Sequence, residues 1–125
     1  MTEHTITPAD AHRWVEAYIA AWRSNLPDEI SGLFTDDAQY RTEPWAEPWI
    51  GANDITAGWL HHEDEPGTWE FTYEIAGIDA ARVFVQGVTR YTEGKVYSNL
   101  WVVDLAGDGR ARSFTEWYVK QPDPS

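Results

Sequence analysis

The periodicity of the apolar residues changes near Trp69, and this change constrains the fold more than any other feature of the chain. Before Trp69, most apolar residues recur every three or four positions, which indicates amphipathic helices. From Trp69 onward they alternate with polar residues, which indicates half-buried strands. Helices followed by strands predict an α+β fold in which the helices cover one face of an antiparallel sheet.

The first predicted helix covers residues 8–24. Thr7 is a favoured cap residue, Pro8 suits the first helical position, and Asp10 places an acid in the first turn. The apolar residues recur at intervals of one helical turn and form a single stripe that we expect to face the core. The members of this stripe are Ala11, Val15, Tyr18, Ile19 and Trp22.

Two shorter helices and a strand are predicted next. Pro27 opens the second helix, a turn at residues 36–37 closes it, and a strand follows over residues 38–43. We expect Asn53 to cap the third helix, because asparagine is a favoured cap residue. The polar run at residues 61–67 then ends this helix.

Four strands are predicted in the second half of the chain. Their approximate bounds are residues 69–75, 81–92, 95–105 and 110–120. The separators Glu93-Gly94 and residues 106–109 are typical of hairpin turns, so the strands are predicted to form an antiparallel meander. A length of 125 residues suits one core, and we expect residues 1–125 to form a single domain.

Two of these strands have apolar residues on both faces. Residues 96–103 and 114–119 show this pattern, although a sheet that carries helices on one side should expose polar residues on the other. We therefore expect the outer face of the sheet to contact a second copy of the chain in a homodimer.

The charge of the chain limits its partners. The formal net charge is −12, from 21 acidic and nine basic residues, and such a surface repels nucleic acid and anionic membranes. There is no cysteine, which excludes disulfides, thiolate metal sites and cysteine nucleophiles. No segment reaches membrane-spanning length and the N-terminal residues do not resemble a signal peptide, so we expect a cytoplasmic location.

Aromatic residues are more numerous than a core of this size needs, with eight Trp, six Tyr and four Phe. Such an excess is typical of pockets and interfaces. We expect Trp45, Trp59 and Trp101 to offer flat contacts to a planar ligand, with Asn99 as a polar group on the same face as Trp101. Trp49 can supply the same kind of contact, or it can belong only to the core and the dimer interface.

Four short segments carry a resemblance to a known superfamily. They are Tyr18-Ile-Ala-Ala-Trp22, Leu33-Phe34-Thr-Asp-Asp-Ala38, Glu43-Pro44 and Pro48-Trp-Ile-Gly51. In this order they resemble the nuclear-transport-factor-2-like superfamily, which includes SnoaL-like polyketide cyclases and ketosteroid isomerase. The resemblance covers nearly the whole chain and implies a cone-shaped α+β barrel. In that architecture three N-terminal helices pack on a curved, mainly antiparallel sheet around a pocket, in enzymes and non-enzymes alike.

The resemblance to ketosteroid isomerase also implies roles for single residues. It places Tyr18 at the position of the oxyanion-stabilising tyrosine and Glu43, before Pro44, at the position of the general base. One extra residue after the Asp-Asp turn leaves Thr42 as the alternative inward-facing residue. Trp101 takes the place of the isomerase's second oxyanion donor, a protonated acid, so we do not expect steroid isomerisation.

Glu116 is the acid most suited to catalysis. Period-two alternation puts Phe114, Glu116 and Tyr118 on one face of the last strand, and the resemblance implies that this face lines the pocket. A carboxyl group among aromatic rings should have a raised pKa and can act as an acid or base near neutrality. The alternative is a structural role, either hydrogen-bonded to a buried tyrosine or paired with Arg41, Arg90 or Arg112.

The adjacent histidines His61 and His62 do not indicate a metal site. Neighbouring side chains on a helix diverge by about 100°, so these two cannot easily bind one ion. No third ligand has a diagnostic spacing, and we predict no metal. We expect His62 to face inward, where it can act as a base at the mouth of the pocket.

These residues lead to two hypotheses. The first is a SnoaL-like enzyme that uses Tyr18, Glu116 and His62 for acid–base chemistry on a small apolar or aromatic carbonyl compound. No nucleophilic triad, phosphate-binding loop or dinucleotide motif is present, so no cofactor is expected. The expected ligand-binding residues are Trp22, Tyr40, Thr42, Glu43, Trp45, Trp59, Asn99, Trp101, Phe114 and Tyr118.

The second hypothesis is a non-catalytic ligand-binding or dimerisation module of the same fold. The two hypotheses differ in the geometry they require. Ionisable side chains that converge on an open cavity favour the enzyme, whereas a cavity filled by indole rings favours the module.

Overall fold

The structure is a computed structural model that describes residues 6–122. It contains three helices, α1 (Pro8–Ser24), α2 (Pro27–Ser31) and α3 (Ala52–His61). The six strands are β1 (Phe34–Arg41), β2 (Trp49–Ile50), β3 (Trp69–Asp79), β4 (Arg82–Tyr91), β5 (Val96–Leu105) and β6 (Ala111–Lys120).

Helix α1 has the bounds and the cap that its sequence predicts. The Thr7 hydroxyl accepts a hydrogen bond from the Asp10 backbone N–H, and the Asp10 carboxylate accepts one from the Thr7 N–H, both at 3.1 Å. This reciprocal capping box satisfies backbone donors that the first turn leaves unpaired. The helix ends at Asn25, which has a left-handed conformation with φ of 52°.

Strand β1 begins earlier than predicted, and the predicted turn at residues 36–37 is wrong. β1 already pairs with β6 at Phe34, and the register between the two strands shifts between Phe34 and Gln39. Residues 36–37 therefore lie inside an irregular strand, with both carboxylates exposed to solvent. A strand irregularity and a turn favour similar exposed acidic residues, which explains the error.

Helix α3 begins at Ala52, so Asn53 lies inside the helix and is not its cap. The cap position belongs to Gly51, whose φ of 90° is a conformation that glycine adopts without strain. Its backbone N–H donates to the Ala38 carbonyl at 2.8 Å, which ties the start of α3 to β1.

The six strands form one sheet in the order β2-β1-β6-β5-β4-β3. Strands β3 to β6 form the predicted antiparallel meander, whereas β1 runs parallel to β6. The sheet is therefore mainly antiparallel, as expected. It is curved but open, because β2 and β3 form its two edges and do not pair with each other.

The helices pack against the inner face of the sheet, and the core lies between them. Tyr18 of α1 contacts Trp101 of β5 and Phe114 of β6, with ring centroids 4.5 and 5.4 Å apart. Trp14 of α1 anchors the second turn by donating its indole N–H to the Leu33 carbonyl at 3.1 Å. These contacts hold α1 across the sheet and place the turn that carries Tyr18 over the inner face.

The outer face of the sheet carries exposed apolar side chains. Trp117 and Val119 of β6 are 50% and 69% exposed, and Leu100 of β5 is 37% exposed. These three side chains alternate with inward-facing neighbours such as Glu116, so they form one apolar patch on the side away from the helices. Contact of this patch with a second copy stays a prediction.

No helix within residues 6–122 combines the length and the apolar character needed to cross a bilayer.

Candidate functional site

A cavity of about 460 Å³ opens between the helices and the inner face of the sheet. Its size is typical of a small-molecule site. Ten of the residues predicted for the site contribute to its wall. They are Tyr18, Trp22, Tyr40, Thr42, Trp59, His62, Asn99, Trp101, Glu116 and Tyr118.

Three residues predicted for the site lie outside the cavity wall. Phe114 is 1% exposed and packs beneath the rings of Tyr18 and Tyr40 as part of the core. Trp45 is 82% exposed and lies on the loop between β1 and β2. Glu43 is next to the wall, where its carboxylate accepts a hydrogen bond from the Tyr118 hydroxyl at 3.1 Å.

Trp49 lines the cavity as well, so its role is not restricted to the core or an interface. Its ring stacks on Tyr40 with centroids 5.1 Å apart. Gly58 of α3 leaves room for the Trp49 ring, because a Cβ atom at position 58 would lie 2.5 Å from that ring. Helix α3 and Trp49 can therefore approach closely enough to close one side of the cavity.

Sequence reasoning missed several wall residues. Thr89 and Tyr91 of β4 and Tyr97 of β5 line the cavity, and alternation with known inward-facing neighbours could have identified them. Glu63 and Asp64 lie on the loop after α3, where no periodic pattern exists to indicate the direction of a side chain.

The cavity has a buried end and an exposed end. We call the buried end the floor, which consists of Tyr18, Tyr40, Asn99, Trp101 and the carboxyl group of Glu116. We call the exposed end the mouth, which consists of His62, Glu63, Asp64, Glu93 and Lys95. Aromatic rings of the wall connect the two ends.

Glu116 is the only carboxyl group that we assign to the floor. Its surface is partly exposed to the cavity, and Asn99 donates a side-chain N–H to its Oε2 at 3.1 Å. Burial raises the pKa of Glu116 to about 7, although the hydrogen bond from Asn99 and the nearby indole N–H of Trp101 act in the opposite direction. A carboxyl group with this pKa can both donate and accept a proton near neutrality.

Glu116 is not held by an arginine. The ion pairs found among residues 6–122 involve other acids, and none joins Glu116 to Arg41, Arg90 or Arg112. Its environment is therefore that of a carboxyl group without a cationic partner, set among aromatic rings. Such a group is a stronger candidate for proton transfer than one that a fixed charge partner keeps ionised.

A second hydrogen bond fixes the orientation of the Asn99 amide. The Thr89 hydroxyl donates to Asn99 Oδ1 at 2.8 Å, and both residues are buried. The amide oxygen of Asn99 is thus bonded to Thr89, which directs the amide N–H group toward Glu116. Strands β4, β5 and β6 each contribute one member of this chain.

Two tyrosine hydroxyl groups meet at the floor. The Tyr18 and Tyr40 oxygens are 2.8 Å apart, and both residues are buried. Burial raises the pKa of Tyr18 well above its ordinary value and raises that of Tyr40 too, with a further contribution from Glu116 in each case. Both groups therefore stay protonated at neutral pH, and one hydroxyl proton of the pair is available to a third acceptor.

The indole N–H of Trp101 is buried and has no hydrogen-bond partner within the part of the chain that the structure describes. It lies close enough to Glu116 to lower the pKa of that carboxyl group without forming a hydrogen bond of ordinary geometry. The ring is held by stacking on Phe71, with centroids 4.8 Å apart and planes 8° from parallel. The floor therefore contains a rigid donor that the described residues do not satisfy with a hydrogen bond of ordinary geometry.

Asp64 fastens the loop after α3 to the cavity wall. Its Oδ2 accepts hydrogen bonds from the Trp22 indole N–H at 3.0 Å and from the Tyr91 hydroxyl at 3.2 Å. Its backbone carbonyl accepts a third bond from the Asn25 side chain at 3.0 Å. The position of the mouth relative to α1 and β4 is set by these bonds.

His62 is exposed at the mouth and stacks on Trp49, with ring centroids 6.1 Å apart. Its ring lies perpendicular to that of His61, at an interplanar angle of 85°. Across residues 6–122, no three histidine or acidic side chains converge in a way that could hold a metal ion. His62 can exchange protons with solvent from this position.

Comparisons with known proteins identify the family and the fold of the chain. The model of the SnoaL-like domain family matches residues 15–119. No protein with curated annotation matches the chain significantly.

Solved structures with the same architecture include a protein of unknown function from Burkholderia xenovorans described as NTF-2 like. It has a TM-score of 0.73 and 16% identity, with 94% of this chain and 88% of that chain covered. A steroid delta-isomerase from Pseudomonas aeruginosa has a TM-score of 0.61 and 18% identity, with 94% and 84% covered.

An epoxide hydrolase from M. tuberculosis has a TM-score of 0.63 and 18% identity, with 90% of this chain and 84% of that chain covered. At these identities the structural likeness establishes the fold alone. The family match covers most of the chain, and the fold that its segments implied is the one observed. The chain therefore belongs to the SnoaL-like domain family and has the nuclear-transport-factor-2-like fold.

Proposed function

We propose that this protein binds a small apolar or aromatic carbonyl compound in its cavity and catalyses proton transfer on it without a cofactor. Glu116 is the acid–base group in this proposal, and the free hydroxyl proton of the Tyr18–Tyr40 pair is donated to the carbonyl oxygen. His62 serves as a second proton-transfer group at the mouth.

One observation carries the proposal. The Glu116 carboxyl group has a pKa of about 7 and lines the same cavity as a pair of tyrosine hydroxyl groups that stay protonated. A base and a set of donors on one cavity are what proton abstraction next to a carbonyl group requires. The unpartnered N–H of Trp101 adds one more donor at the floor.

The proposed reaction moves one proton. Ionised Glu116 takes a proton from the carbon next to the carbonyl group, so that the C–H bond breaks and an O–H bond forms on the carboxyl group. The electron pair passes to the carbonyl oxygen, which becomes an enolate that Tyr18 or Tyr40 and Trp101 stabilise by hydrogen bonds. The protonated Glu116 carboxyl group exchanges its proton with solvent through the cavity and then returns a solvent-derived proton to a carbon atom, so the enzyme regains its initial state.

The structural neighbours support chemistry of this kind in the fold. Two of them are described as a steroid delta-isomerase and an epoxide hydrolase, and both names refer to reactions on small organic molecules. The shared fold supplies the cavity, whereas the reaction depends on the side chains in it.

A ligand-binding role without catalysis is the alternative. The aromatic packing of the floor favours it, because Tyr18 contacts the rings of Trp59, Trp101 and Phe114 with centroids within 5.4 Å. Such packing restricts the space that a reacting molecule would need. Exchange of protons on a bound ketone distinguishes the two roles.

The experiment uses 4-methylacetophenone in D₂O. The acetyl protons of this ketone exchange with solvent only through an enol or enolate, and NMR follows their loss. We expect the wild-type protein to accelerate this exchange and Glu116→Gln to lower the protein-catalysed rate about 100-fold or more, because general base catalysis typically contributes that much.

Glu47→Gln is the matched control, since Glu47 is exposed and does not contribute to the cavity wall. This variant should exchange the ketone at the wild-type rate. A wild-type rate with Glu116→Gln contradicts the proposed mechanism. Binding of the ketone to the wild-type protein without any accelerated exchange favours the non-catalytic role.

A further inference from the structure

The mouth of the cavity carries an excess of negative charge. Three acidic residues, Glu63, Asp64 and Glu93, contribute to the wall there, together with one lysine, Lys95. The lysine Nζ lies 3.4 Å from Glu93 Oε1, so these two charges largely offset each other. Glu63 and Asp64 remain, and the field of a chain with net charge −12 has the same sign.

Hydrogen bonds from wall residues fix the carboxylate of Asp64. It is partly buried, and its Oδ2 accepts hydrogen bonds from the neutral donors Trp22 and Tyr91. Asp64 takes no part in the ion pairs found among residues 6–122. A carboxylate is thus fixed beside the cavity by neutral groups, and its charge is left available to a cation that enters from solvent.

The rings next to Asp64 suit a cation. Tyr91 donates to the carboxylate, and its ring meets that of Tyr97 edge-on with centroids 5.9 Å apart. Both rings line the cavity. Electron-rich aromatic faces beside a carboxylate form the environment in which proteins commonly bind protonated amines.

An independent observation at the other end of the cavity indicates a ligand. The Trp101 side chain is 1% exposed and contributes to the floor, and its buried indole N–H has no hydrogen-bond partner of ordinary geometry among the described residues. Buried donors are nearly always satisfied in proteins, and this one acts on Glu116 without a hydrogen bond of ordinary geometry. A ligand oxygen at the floor can supply the better-placed acceptor. A ligand that fits this cavity therefore has a hydrogen-bond acceptor at the floor and a positive charge at the mouth.

We propose that the carbonyl ligand of this cavity carries a protonated amine, which Asp64 binds at the mouth while the carbonyl oxygen lies at the floor. This inference rests on the proposed function, because it takes the carbonyl group from there and adds the charge of the ligand. Asp64 determines specificity in this arrangement. Carboxylates and phosphate esters are repelled by the same acids.

Three acetophenones that differ only in the para substituent test the proposal. They are 4-(aminomethyl)acetophenone, which is cationic, 4-methylacetophenone, which is neutral, and 4-acetylbenzoate, which is anionic. We expect the amine to bind the wild-type protein about tenfold more tightly than the neutral ketone, and the anion to bind most weakly. This preference should decrease at high salt, because the mouth is open to solvent.

Asp64→Asn is the informative variant, because asparagine keeps an acceptor oxygen for Trp22 and Tyr91 while removing the charge. It should lower the preference for the amine over the neutral ketone about fivefold or more, whatever change it makes to the binding of both. Glu65→Gln is the matched control on the same loop, since Glu65 is exposed and does not contribute to the wall. It should alter neither affinity.

Equal binding of the amine and the neutral ketone to the wild-type protein overturns this inference and leaves the proposed function intact. An equal loss of amine binding in Asp64→Asn and Glu65→Gln also overturns it, because the effect is then one of overall charge. The wild-type comparison needs no variant, so it holds even if Asp64→Asn disturbs the loop. Failure of all three compounds to bind contradicts both the inference and the proposed function.

Discussion

Asn99 donates its side-chain N–H to Glu116 Oε2 at 3.1 Å across the β5–β6 pair, while the Thr89 hydroxyl occupies the other end of the same amide. The bond therefore has a defined direction, with the donor on the side of the carboxyl group. A donor in this position stabilises the ionised acid, and it opposes the effect of burial on the same group.

Replacement of Asn99 by leucine should raise the pKa of Glu116 further above its value of about 7. The variant keeps a side chain of similar size but removes a hydrogen bond to the ionised carboxylate. The protonated form of Glu116 is therefore favoured relative to the ionised form. We expect a rise of about one pH unit, measured by NMR titration of the Glu116 carboxyl carbon. Asn53→Leu, at an exposed site on α3, should leave the titration unchanged. A pKa that stays at 7 or falls would show that the bond has no such role.

The raised pKa of Glu116 predicts a dependence of stability on pH. The folded value is about 7 and the ordinary value is 4.5, so the folded state binds more protons between these limits. The free energy of unfolding should therefore decrease as pH rises through this window, by at most about 3 kcal/mol from this group.

Glu116→Gln checks this sign directly, because glutamine cannot ionise. The variant should be more stable than the wild-type protein at pH 8, and this advantage should shrink at pH 5, as measured by urea unfolding. Glu47→Gln, at an exposed acid, should show no difference of this kind between the two pH values. An advantage that is equal at both pH values would contradict the raised pKa.

The hydroxyl pair of Tyr18 and Tyr40 should contribute to both stability and exchange. Removing one hydroxyl leaves the other without its partner at 2.8 Å, and we expect a loss of about 1 kcal/mol in the free energy of unfolding for Tyr18→Phe. If the pair donates to the carbonyl oxygen, Tyr18→Phe should also slow the exchange of 4-methylacetophenone about tenfold or more. Tyr73→Phe, which removes a hydroxyl bonded to Glu16 outside the cavity, is the control.

We propose that the outer apolar patch forms a homodimer interface. Trp117 and Val119 are half or more exposed there, and burial of such a patch between two copies is favourable. The wild-type protein should elute with twice the mass of one chain in light scattering, and Trp117→Asp should give the mass of one chain. Trp45→Ser, which removes an exposed indole on a different loop, should leave the mass unchanged. A monomeric wild-type protein would contradict this prediction.

Local patterns in the sequence predicted much of the fold and part of the site. The cap at Thr7 gave the start of α1, and the alternation after Trp69 gave the meander. The same alternation placed Glu116 on the inner face of β6 and Trp117 on the outer face. These features depend on residues that are neighbours in sequence, and periodicity describes such neighbours well.

Features that depend on distant contacts were not predictable in this way. The bond between Tyr18 and Tyr40 joins residues 22 positions apart, and the position of Asp64 is set by donors from α1 and β4. The aromatic excess predicts Trp45 to be a pocket residue, but the loop that carries it leaves its indole in solvent. Composition indicates which side chains are available and does not indicate the direction in which a loop presents them.

The pH dependence of proton exchange on 4-methylacetophenone tests the central claim most directly, because that claim assigns the base to Glu116 in a cavity that raises its pKa. The account predicts that the wild-type rate rises with pH, with an inflection at about 7 and a plateau above it, as Glu116 ionises. Glu116→Gln should remove the inflection along with most of the rate. The same profile in both proteins, or a wild-type rate that falls as pH rises through 7, would contradict the account.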